Sequence, residues 1–399
     1  MDEIKSGVEI YDKTKISNGV VNQSDLDLDH DRNHNLFTYK GQFSPDLINN
    51  LIRNYAPKNS LVLDPFCGCG TVLFEAAKQN HSAIGIDINP AGILMAESSR
   101  FHNLNKKQRL NIFNKTKKLV ETIPSFKSPT FEKLLVEKIV NQTNKYIKNL
   151  LINSYLKYST SRKSKGKILF QKILEEHITL IQSLPYSRNE YKVFHSDVRN
   201  SNIDLNSVDL IITSPPYINV FNYHQHYRNI TEEFGFNALN IAKSEFGSNR
   251  KNRQNRFLTV IQYIFDMTET MNQLKSYLKK DGRFIIVIGR QSKVRGVSFR
   301  NDLIIGVISL ILGYNIDLHQ ERKFKNQYGE VIYEDILHFK KSNDSLDYDK
   351  SKLLNLAEYV LREAMKEKID SDIINDVELA LESLKKTETS PLYINEVSK

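Results

Sequence analysis

The residues with the clearest chemical character lie at positions 213–217, where the sequence reads Thr-Ser-Pro-Pro-Tyr. The residues just before them, Val208 to Ile212, form a largely apolar run that predicts a buried strand. Two consecutive prolines continue neither a strand nor a helix, so the chain must turn there. The turn therefore presents a hydroxyl, rigid backbone carbonyls and an aromatic ring at a strand end, which suits a flat heterocycle that carries an amino group.

A second segment, residues 61–78, predicts a strand, a glycine turn and a helix. Gly68 and Gly70 allow a positive φ or a close approach of a ligand to the backbone. A side chain at Gly70 is therefore expected to block ligand binding without unfolding the chain. The following predicted strand ends near Asp87, whose carboxylate is suited to accept hydrogen bonds from a ribose. This order of elements predicts a nucleotide-type site.

Dinucleotide binding is the rival interpretation of this glycine loop. Two features count against it. Leu73 occupies the position of the third glycine in the dinucleotide fingerprint, and Asp64 and Pro65 precede the loop, where that fingerprint has no use for them.

The segments 64–71 (Asp-Pro-Phe-Cys-Gly-Cys-Gly-Thr) and 213–217 together resemble those of the amino-methylating DNA methyltransferases. These enzymes transfer a methyl group from S-adenosylmethionine to N4 of cytosine or N6 of adenine. Residues 37–47, 193–197 and 279–288 resemble three further family segments, which border the methionine part of the cofactor, carry the acid facing adenine, and form the fifth strand. Cys69 departs from the Ser that is common in the family, at a position that contributes mostly backbone.

The resemblance implies a role for each matching residue. Ser214 Oγ and the Pro215 carbonyl would accept hydrogen bonds from the target amine, and Tyr217 would stack on a base flipped out of the duplex. The predicted catalytic residues are Ser214, Pro215, Pro216 and Tyr217. Asp87 would bind the ribose, Asp197 the adenine amino group, and Asp64 would orient the loop near the sulfonium. The predicted cofactor residues are Phe43, Asp64, Phe66, Gly68, Gly70, Thr71, Asp87, Ile88, Asp197 and Val198.

Several candidate reactions differ in the target of methylation. Methylation at C5 of cytosine needs a thiolate that adds to the ring, and both cysteines, Cys67 and Cys69, lie in the cofactor loop, which disfavours that route. Ser214 favours N4 of cytosine by resemblance, and N6 of adenine stays open. Methylation of an RNA amine by the same fold also stays open, as does a nucleic-acid-binding protein of this fold without catalytic activity.

Composition agrees with a nucleic-acid partner. The 399-residue chain has a formal net charge of +9, which favours a polyanion such as double-stranded DNA. A cognate restriction endonuclease acting at the same site is a further expected partner. The sequence contains no apolar run long enough to span a membrane and no apolar signal segment at Met1. With only two cysteines, too close for a normal disulfide, a cytoplasmic location is expected.

The pattern of predicted elements indicates an α/β fold. We expect a seven-stranded, mostly parallel, Rossmann-like methyltransferase sheet with a C-terminal antiparallel hairpin, plus a helical insert. The predicted organisation is a loose, polar N-terminal arm (1–35), a catalytic domain (36–92 and 191–342), a helical insert (93–190) and an acidic helical C-terminal extension (343–399).

Two regions compete for recognition of the target sequence. One is the loop from Phe221 to Arg256, which follows the proline turn and combines Arg, Asn, Gln, His and Tyr side chains that can contact base edges; its predicted DNA contacts are Arg250, Arg253 and Arg256. The insert is richer in lysine, which suits contacts to phosphates. We favour the first region. His224 and His226 are spaced as a pair but lack a neighbouring acid or cysteine, so no metal is expected.

Overall fold

A computed structural model describes residues 1–28, 36–125, 129–163, 165–219, 222–225, 227–248, 252–325, 329–342, 349–366 and 370–394. The strands are β1 (Leu61–Asp64), β2 (Ser82–Asp87), β3 (Tyr191–His195), β4 (Val208–Thr213), β5 (Leu278–Gly289), β6 (Gln291–Val294), β7 (Val297–Arg300), β8 (Tyr314–Lys325) and β9 (Val331–Lys341). The α-helices are α1 (Asp2–Asp12), α2 (Gln23–Asp27), α3 (Pro45–Tyr55), α4 (Thr71–Lys78), α5 (Pro90–Ala96), α6 (Lys106–Glu121), α7 (Thr130–Val140), α8 (Lys145–Thr160), α9 (Lys167–Gln182), α10 (Arg228–Glu233), α11 (Ala238–Ser244), α12 (Leu258–Tyr277), α13 (Asn301–Ile311), α14 (Lys350–Ala364) and α15 (Ser371–Glu382).

The central sheet has the strand order β3-β2-β1-β4-β5-β9-β8. The first five strands are parallel, and β9 runs antiparallel to both β5 and β8. The predicted seven-stranded, mostly parallel sheet with a terminal hairpin is confirmed. Because the chain leaves β1 toward β2 on one side and later returns to β4 on the other, the order reverses between β1 and β4. Ligands bind at such a reversal, beyond the carboxyl ends of the strands.

Alternate residues of the central strands face opposite layers of helices. Leu210 and Ile212 of β4 pack in one core cluster with Ile48 of α3, whereas Ile211 packs in the other with Ile264 of α12. This period of two, in strands that are apolar on both sides, is typical of a sheet covered on both faces. The rigid layers fix where the strand ends lie.

The helical stretch predicted between the second and third strands contains α6 to α9 in the described residues. Its core is continuous with that of residues 36–92, since Phe131 and Phe170 share a cluster with Phe37 and Phe74. Arg109, one of the basic residues of this stretch, is buried and donates to the carbonyls of Phe101 and other residues. Arg109 is therefore a structural residue.

The expectation of a loose polar arm over residues 1–35 is wrong for residues 2–12 and 23–27, which form α1 and α2; residues 29–35 lie outside the described part of the chain. Ile4, Val8 and Tyr11 form one buried apolar stripe on α1. The Tyr11 ring covers Gly306 of α13, where an added Cβ would lie 2.1 Å from the ring. This close approach explains why a short, largely polar segment is held in place.

The C-terminal region packs against the core, as Leu356 and Leu361 of α14 are buried. A small antiparallel hairpin, β6–β7, was not predicted and follows directly after β5. No helix in the described part of the chain is both long and apolar enough to cross a membrane.

Candidate active site at the carboxyl edge of the sheet

Asp64 connects the ends of the two central strands. Its Oδ1 accepts a 3.1 Å hydrogen bond from the Phe66 backbone N–H and a 2.7 Å hydrogen bond from the Thr213 hydroxyl. Burial raises the pKa of Asp64 to about 7, against the opposing effect of these two hydrogen bonds. Asp64 thus holds both loops by hydrogen bonds, as the predicted orienting role requires. It does not line the cleft that these loops border.

The glycine loop is held by Asp87 at the end of β2. Asp87 Oδ2 accepts a 2.8 Å hydrogen bond from Gly68 N–H, and Oδ1 accepts a 2.7 Å hydrogen bond from Asn89 N–H. Burial raises the pKa of Asp87 to about 6. Asn89 in turn caps the N-terminus of α5 through its side chain. The loop and the carboxylate are therefore ordered before any ligand arrives.

A cleft of about 830 Å³, including its open mouth, lies above these loops. The predicted residues that line it are Phe43, Phe66, Gly68, Thr71, Asp87, Ile88, Asp197, Val198, Ser214 and Pro216. The predicted residues outside its lining are Asp64, Gly70, Pro215 and Tyr217. The cleft therefore brings the glycine loop, the ends of β2 and β3 and the proline turn into one site.

Gly70 has a structural position. Its φ is +89°, and an added Cβ would lie 2.8 Å from Cα of Ala96. A side chain there would push against the end of α5 instead of entering the cleft. The structure therefore favours a different outcome from the one expected above: a substitution at Gly70 should disturb the fold, because the contact is with the backbone of α5.

Asp197 lines the cleft, but its lone pairs are already used. Its Oδ1 accepts from the backbone N–H and Nε of Arg199, and its Oδ2 accepts from Arg199 Nη2 and from Tyr393 N–H. A carboxylate offers about four acceptor sites. In this arrangement Asp197 has no lone pair left for an adenine amino group, and the adjacent Ser196 is the better acceptor. Its Oγ is buried at the lining of the cleft with no hydrogen-bond partner in the described residues.

The proline turn places Ser214 and Pro216 at the cleft. Ser214 Oγ lies 3.3 Å from Tyr217 Oη, and Tyr217 donates a 3.2 Å hydrogen bond to Glu334 on β9. The Tyr217 ring packs on Gly289 at the end of β5. Burial, followed by the charge of Glu334, raises the pKa of Tyr217 well above its ordinary value, so the phenol is neutral and its hydroxyl is a hydrogen-bond donor.

Four further lining residues, Tyr39, Gly41, Gln42 and Ser196, lie in the segments 37–47 and 193–197 that the resemblance assigned to the cofactor but were not singled out. The lining residues that the sequence did not indicate are Asn89, Tyr223, Ser244, Glu245 and Phe246. Glu245 accepts a 2.6 Å hydrogen bond from His224 Nδ1 and a second hydrogen bond from the backbone N–H of His224. His224 is thus a partner of this acid; His226 lies outside the described residues. The described residues contain no group of side chains that could hold a metal ion. Tyr223 could have been indicated by its position six residues after the proline turn, whereas the fold alone brings residues 244–246 to the cleft.

Both cysteines are buried free thiols beside the cleft. Burial raises the pKa of Cys69 to about 12 and raises that of Cys67 as well. Neither is present as a thiolate at neutral pH, which argues further against a mechanism that adds sulfur to a base.

The predicted DNA-contacting arginines differ in placement. Arg250 lies outside the described residues, and Arg253 is exposed. Arg256 is half-buried and donates to the side chain of Asn219, which follows the proline turn and itself donates a 2.7 Å hydrogen bond to the Lys293 carbonyl. Arg256 therefore supports the segment that follows the proline turn, and of these two described residues only Arg253 is placed for a contact on the solvent side.

The fold and the cleft together define a class of nucleotide-type binding sites at the switch point of a doubly wound sheet. The family model for N6_N4_Mtase, DNA methylase, matches residues 8–98 and 208–394. This match covers well over half of the chain, which therefore belongs to the DNA methylase family. The stretch between the two matched parts contains α6 to α9 and β3.

Individual relatives match over shorter regions. The Type II methyltransferase M.AvaI of Nostoc sp. is 29% identical over 248 residues, which are 48% of this chain and 52% of that protein. The Type II methyltransferase M.MjaII of Methanocaldococcus jannaschii is 31% identical over 93 residues, which are 23% of this chain and 18% of that protein. The chain thus spans about half the length of the first of these curated relatives, and less of the second.

Among solved structures, a TehB-like SAM-dependent methyltransferase from Corynebacterium glutamicum has a TM-score of 0.30 at 13% identity. The match covers 74% of this chain and 87% of the chain in that structure. A TM-score this low adds no weight, and the assignment rests on the family match.

S-adenosylmethionine is the cofactor of this family and of this chain, and the residues of the cleft fit it. The Asp87 carboxylate is suited to the ribose hydroxyls, and the unpartnered Ser196 Oγ to the amino group of adenine. Phe66 and Phe246 meet edge to face, with ring centroids 5.7 Å apart, and give the wall an apolar surface. A lining that combines a few polar groups with aromatic rings suits an adenosine.

Proposed function

We propose that this protein methylates the exocyclic N4 of cytosine in duplex DNA at a specific site. The observation that carries the proposal is the hydrogen bond between Thr213 and Asp64. It joins β4 to β1 so that Ser214 and Pro216 line the same cleft as Gly68 and Asp87. A cofactor site and an amine-binding turn in one cleft are the requirement for direct transfer between two bound molecules.

When bound, S-adenosylmethionine supplies an electrophilic methyl group on its sulfonium. The residues of this chain have to prepare the nucleophile. An exocyclic amine of a base is a weak nucleophile, because its lone pair is delocalised into the ring. Ser214 Oγ and the Pro215 carbonyl accept hydrogen bonds from the two N–H groups and favour the pyramidal amine. The fixed φ of the prolines holds the Pro215 carbonyl in place without reorganisation.

The target base must leave the duplex to reach this turn, so base flipping is part of the proposal. Tyr217 is the proposed stacking residue, with its ring backed by Gly289. Ser214 in the first position of the motif favours cytosine N4 by resemblance, and adenine N6 is the alternative within the same reaction class. The relatives are named Type II methyltransferases, which supports a modification enzyme paired with a restriction endonuclease of the same site.

The test is transfer of a labelled methyl group to DNA and to RNA, followed by mass spectrometry of the product nucleosides. We expect N4-methylcytosine from duplex DNA. N6-methyladenine would correct the base, and labelling of RNA alone would correct the substrate. Transfer to neither would overturn the enzymatic proposal.

A further inference from the structure

Four side chains form a continuous hydrogen-bonded chain from β8 to the catalytic turn. Arg322 Nε and Nη2 each lie 2.7 Å from Glu334 Oε2. The other carboxylate oxygen, Oε1, accepts from Tyr217 Oη at 3.2 Å, and Tyr217 Oη lies 3.3 Å from Ser214 Oγ. Arg322 and Glu334 are direct cross-strand partners in the terminal hairpin. The carboxylate is therefore fixed to the sheet and is 117 residues away from the tyrosine it contacts.

The direction of each hydrogen bond in this chain follows from counting protons. A guanidinium only donates and a carboxylate only accepts, so the ion pair makes Glu334 an acceptor on both sides. Tyr217 has one hydroxyl proton, and a carboxylate attracts it more strongly than a serine hydroxyl does. The Tyr217 oxygen is then left as an acceptor, so the contact with Ser214 is made by the serine proton. The lone pairs of Ser214 Oγ are thereby released toward the cleft that Ser214 lines.

We propose that Glu334 is a positioning residue that sets the direction of this chain and so makes Ser214 a hydrogen-bond acceptor for the target amine. This inference rests on the proposed function, because it concerns how the same turn treats its substrate. A serine hydroxyl that pointed into the cleft would donate to the amine lone pair and would occupy the electrons that attack the methyl group. With its proton committed to Tyr217, Ser214 can only accept from the amine.

The same count of protons predicts that Glu334→Gln reverses the direction of the hydrogen bonds between Glu334, Tyr217 and Ser214. Arg322 has only donors, so it claims the amide oxygen and leaves the amide NH₂ facing Tyr217. Tyr217 then accepts from the amide and donates to Ser214, whose proton turns toward the cleft. We expect single-turnover methyl transfer to fall roughly tenfold or more, the effect of a misdirected hydrogen bond to a reacting group. Calorimetric affinity for S-adenosylmethionine should match the wild type, because Glu334 does not line the cleft.

Tyr217→Phe supplies the decisive comparison, since it keeps the ring and removes the hydroxyl that links Glu334 to Ser214. Ser214 is then free to rotate in either background, so the double variant should be as active as Tyr217→Phe alone and more active than Glu334→Gln. Such a rescue is not expected of a glutamate that only stabilises the hairpin, for which the double variant would be at least as impaired. The matched control is Glu321→Gln, which removes an ion-paired glutamate from β8 that contacts Arg290 and not Tyr217. Its rate should equal that of the wild type.

A direct measurement of the protons keeps the inference testable without activity. Neutron diffraction from crystals of the deuterated wild type should show the Tyr217 deuterium toward Glu334 and the Ser214 deuterium toward Tyr217. A Ser214 deuterium pointing into the cleft, or a double variant no better than Glu334→Gln, would overturn the inference. If the wild type methylates no nucleic acid, the proposed function fails, while the nuclear density still decides the direction of the chain.

Discussion

The Thr213 hydroxyl lies 2.7 Å from the Asp64 carboxylate and donates a hydrogen bond to it across the switch point of the sheet. The two residues are 149 positions apart in sequence and end adjacent strands. This contact adds to the parallel pairing of β1 with β4 and links the glycine loop to the proline turn. Burial of the same carboxyl group raises its pKa well above the ordinary value.

Asp64 should make the stability of the protein depend on pH in a defined direction. Burial raises its pKa in the folded state to about 7, from an ordinary value of 3.8. Between these values the folded state binds a proton that the unfolded state has released. The contribution of Asp64 to stability is therefore fully present below pH 3.8 and is lost as the pH rises to about 7. Asp64→Asn keeps an oxygen for Thr213 and Phe66 and removes the titration.

The measurement is urea unfolding of the wild type and Asp64→Asn, without cofactor, from pH 4 to pH 8. The free energy of unfolding of the wild type should fall relative to the variant by up to about 1.4 kcal/mol per pH unit inside the window. Other groups, such as the buried His102 and His177 whose pKa values burial lowers to about 4, cancel in the difference. A difference that is flat across the window would show that Asp64 has an ordinary pKa.

Gly70 and Gly68 should differ in what their substitution damages. A side chain at Gly70 meets the backbone of Ala96 at 2.8 Å and needs a φ of +89°, so Gly70→Val should lower the Tm strongly and lose cofactor binding only as a result of unfolding. At Gly68 the nearest atom is on the Tyr39 ring, 3.2 Å away, at a φ of +48°.

Because a ring can shift where backbone cannot, Gly68→Ala should fold with a loss of about 1–2 kcal/mol and still bind S-adenosylmethionine more weakly. Thermal unfolding and titration calorimetry separate the two effects. A Gly70→Val protein with wild-type Tm and no cofactor affinity would restore the direct role first expected for Gly70.

Much of the sheet could be predicted because its strands carry their own signal. The apolar runs and turn residues at 61–71 and 208–217 predicted both loops, and the short connection at 326–329 between two strand-like runs predicted the terminal antiparallel hairpin. Helix α1 does carry a signal, because Ile4, Val8 and Tyr11 are apolar and at helical spacing. The polar residues around them outweighed it. The hairpin β6–β7 is four residues per strand, too short for periodicity to register.

The unpredicted parts of the site depend on partners distant in sequence. Tyr393 N–H meets Asp197 across 196 residues, and Glu334 meets Tyr217 across 117. No local pattern encodes such pairs, because the fold of the intervening chain brings them together. The family segment with an acid correctly placed Asp197 at the cleft lining, and only the folded structure shows that its lone pairs are taken.

Ser196 should contribute to cofactor binding in place of Asp197. Its Oγ is buried in the lining without a described partner, and a bound adenine amino group would satisfy it. Ser196→Ala should weaken S-adenosylmethionine about threefold to tenfold, the typical range for one neutral hydrogen bond, with no loss of stability. Ser207→Ala is the control, because its hydroxyl is bound to the Asp204 carbonyl in the same connection between β3 and β4. Equal affinities for wild type and Ser196→Ala would leave the adenine acceptor unassigned.

Arg253 and Arg256, grouped together by sequence, should prove to have separate functions. Arg253 is exposed, so Arg253→Gln should weaken discrimination between target and non-target DNA by roughly tenfold, the typical effect of losing one base contact. Arg256 holds Asn219 behind the catalytic turn. Arg256→Gln should therefore slow methyl transfer on every DNA sequence alike, with the salt dependence of binding unchanged.

Lys163 on the insert is the comparison for both arginines. It is exposed, whereas Lys165 lies near Glu132 and Lys167 is bonded to the Glu121 carbonyl. Lys163→Gln should lower affinity for all DNA similarly and reduce the slope of log affinity against log salt by about 1, as expected for the loss of one phosphate contact. Fluorescence anisotropy over a salt series, with single-turnover rates on target and non-target duplexes, distinguishes the three variants. Loss of discrimination through Lys163→Gln, with Arg253→Gln unaffected, would move target recognition from the loop to the insert.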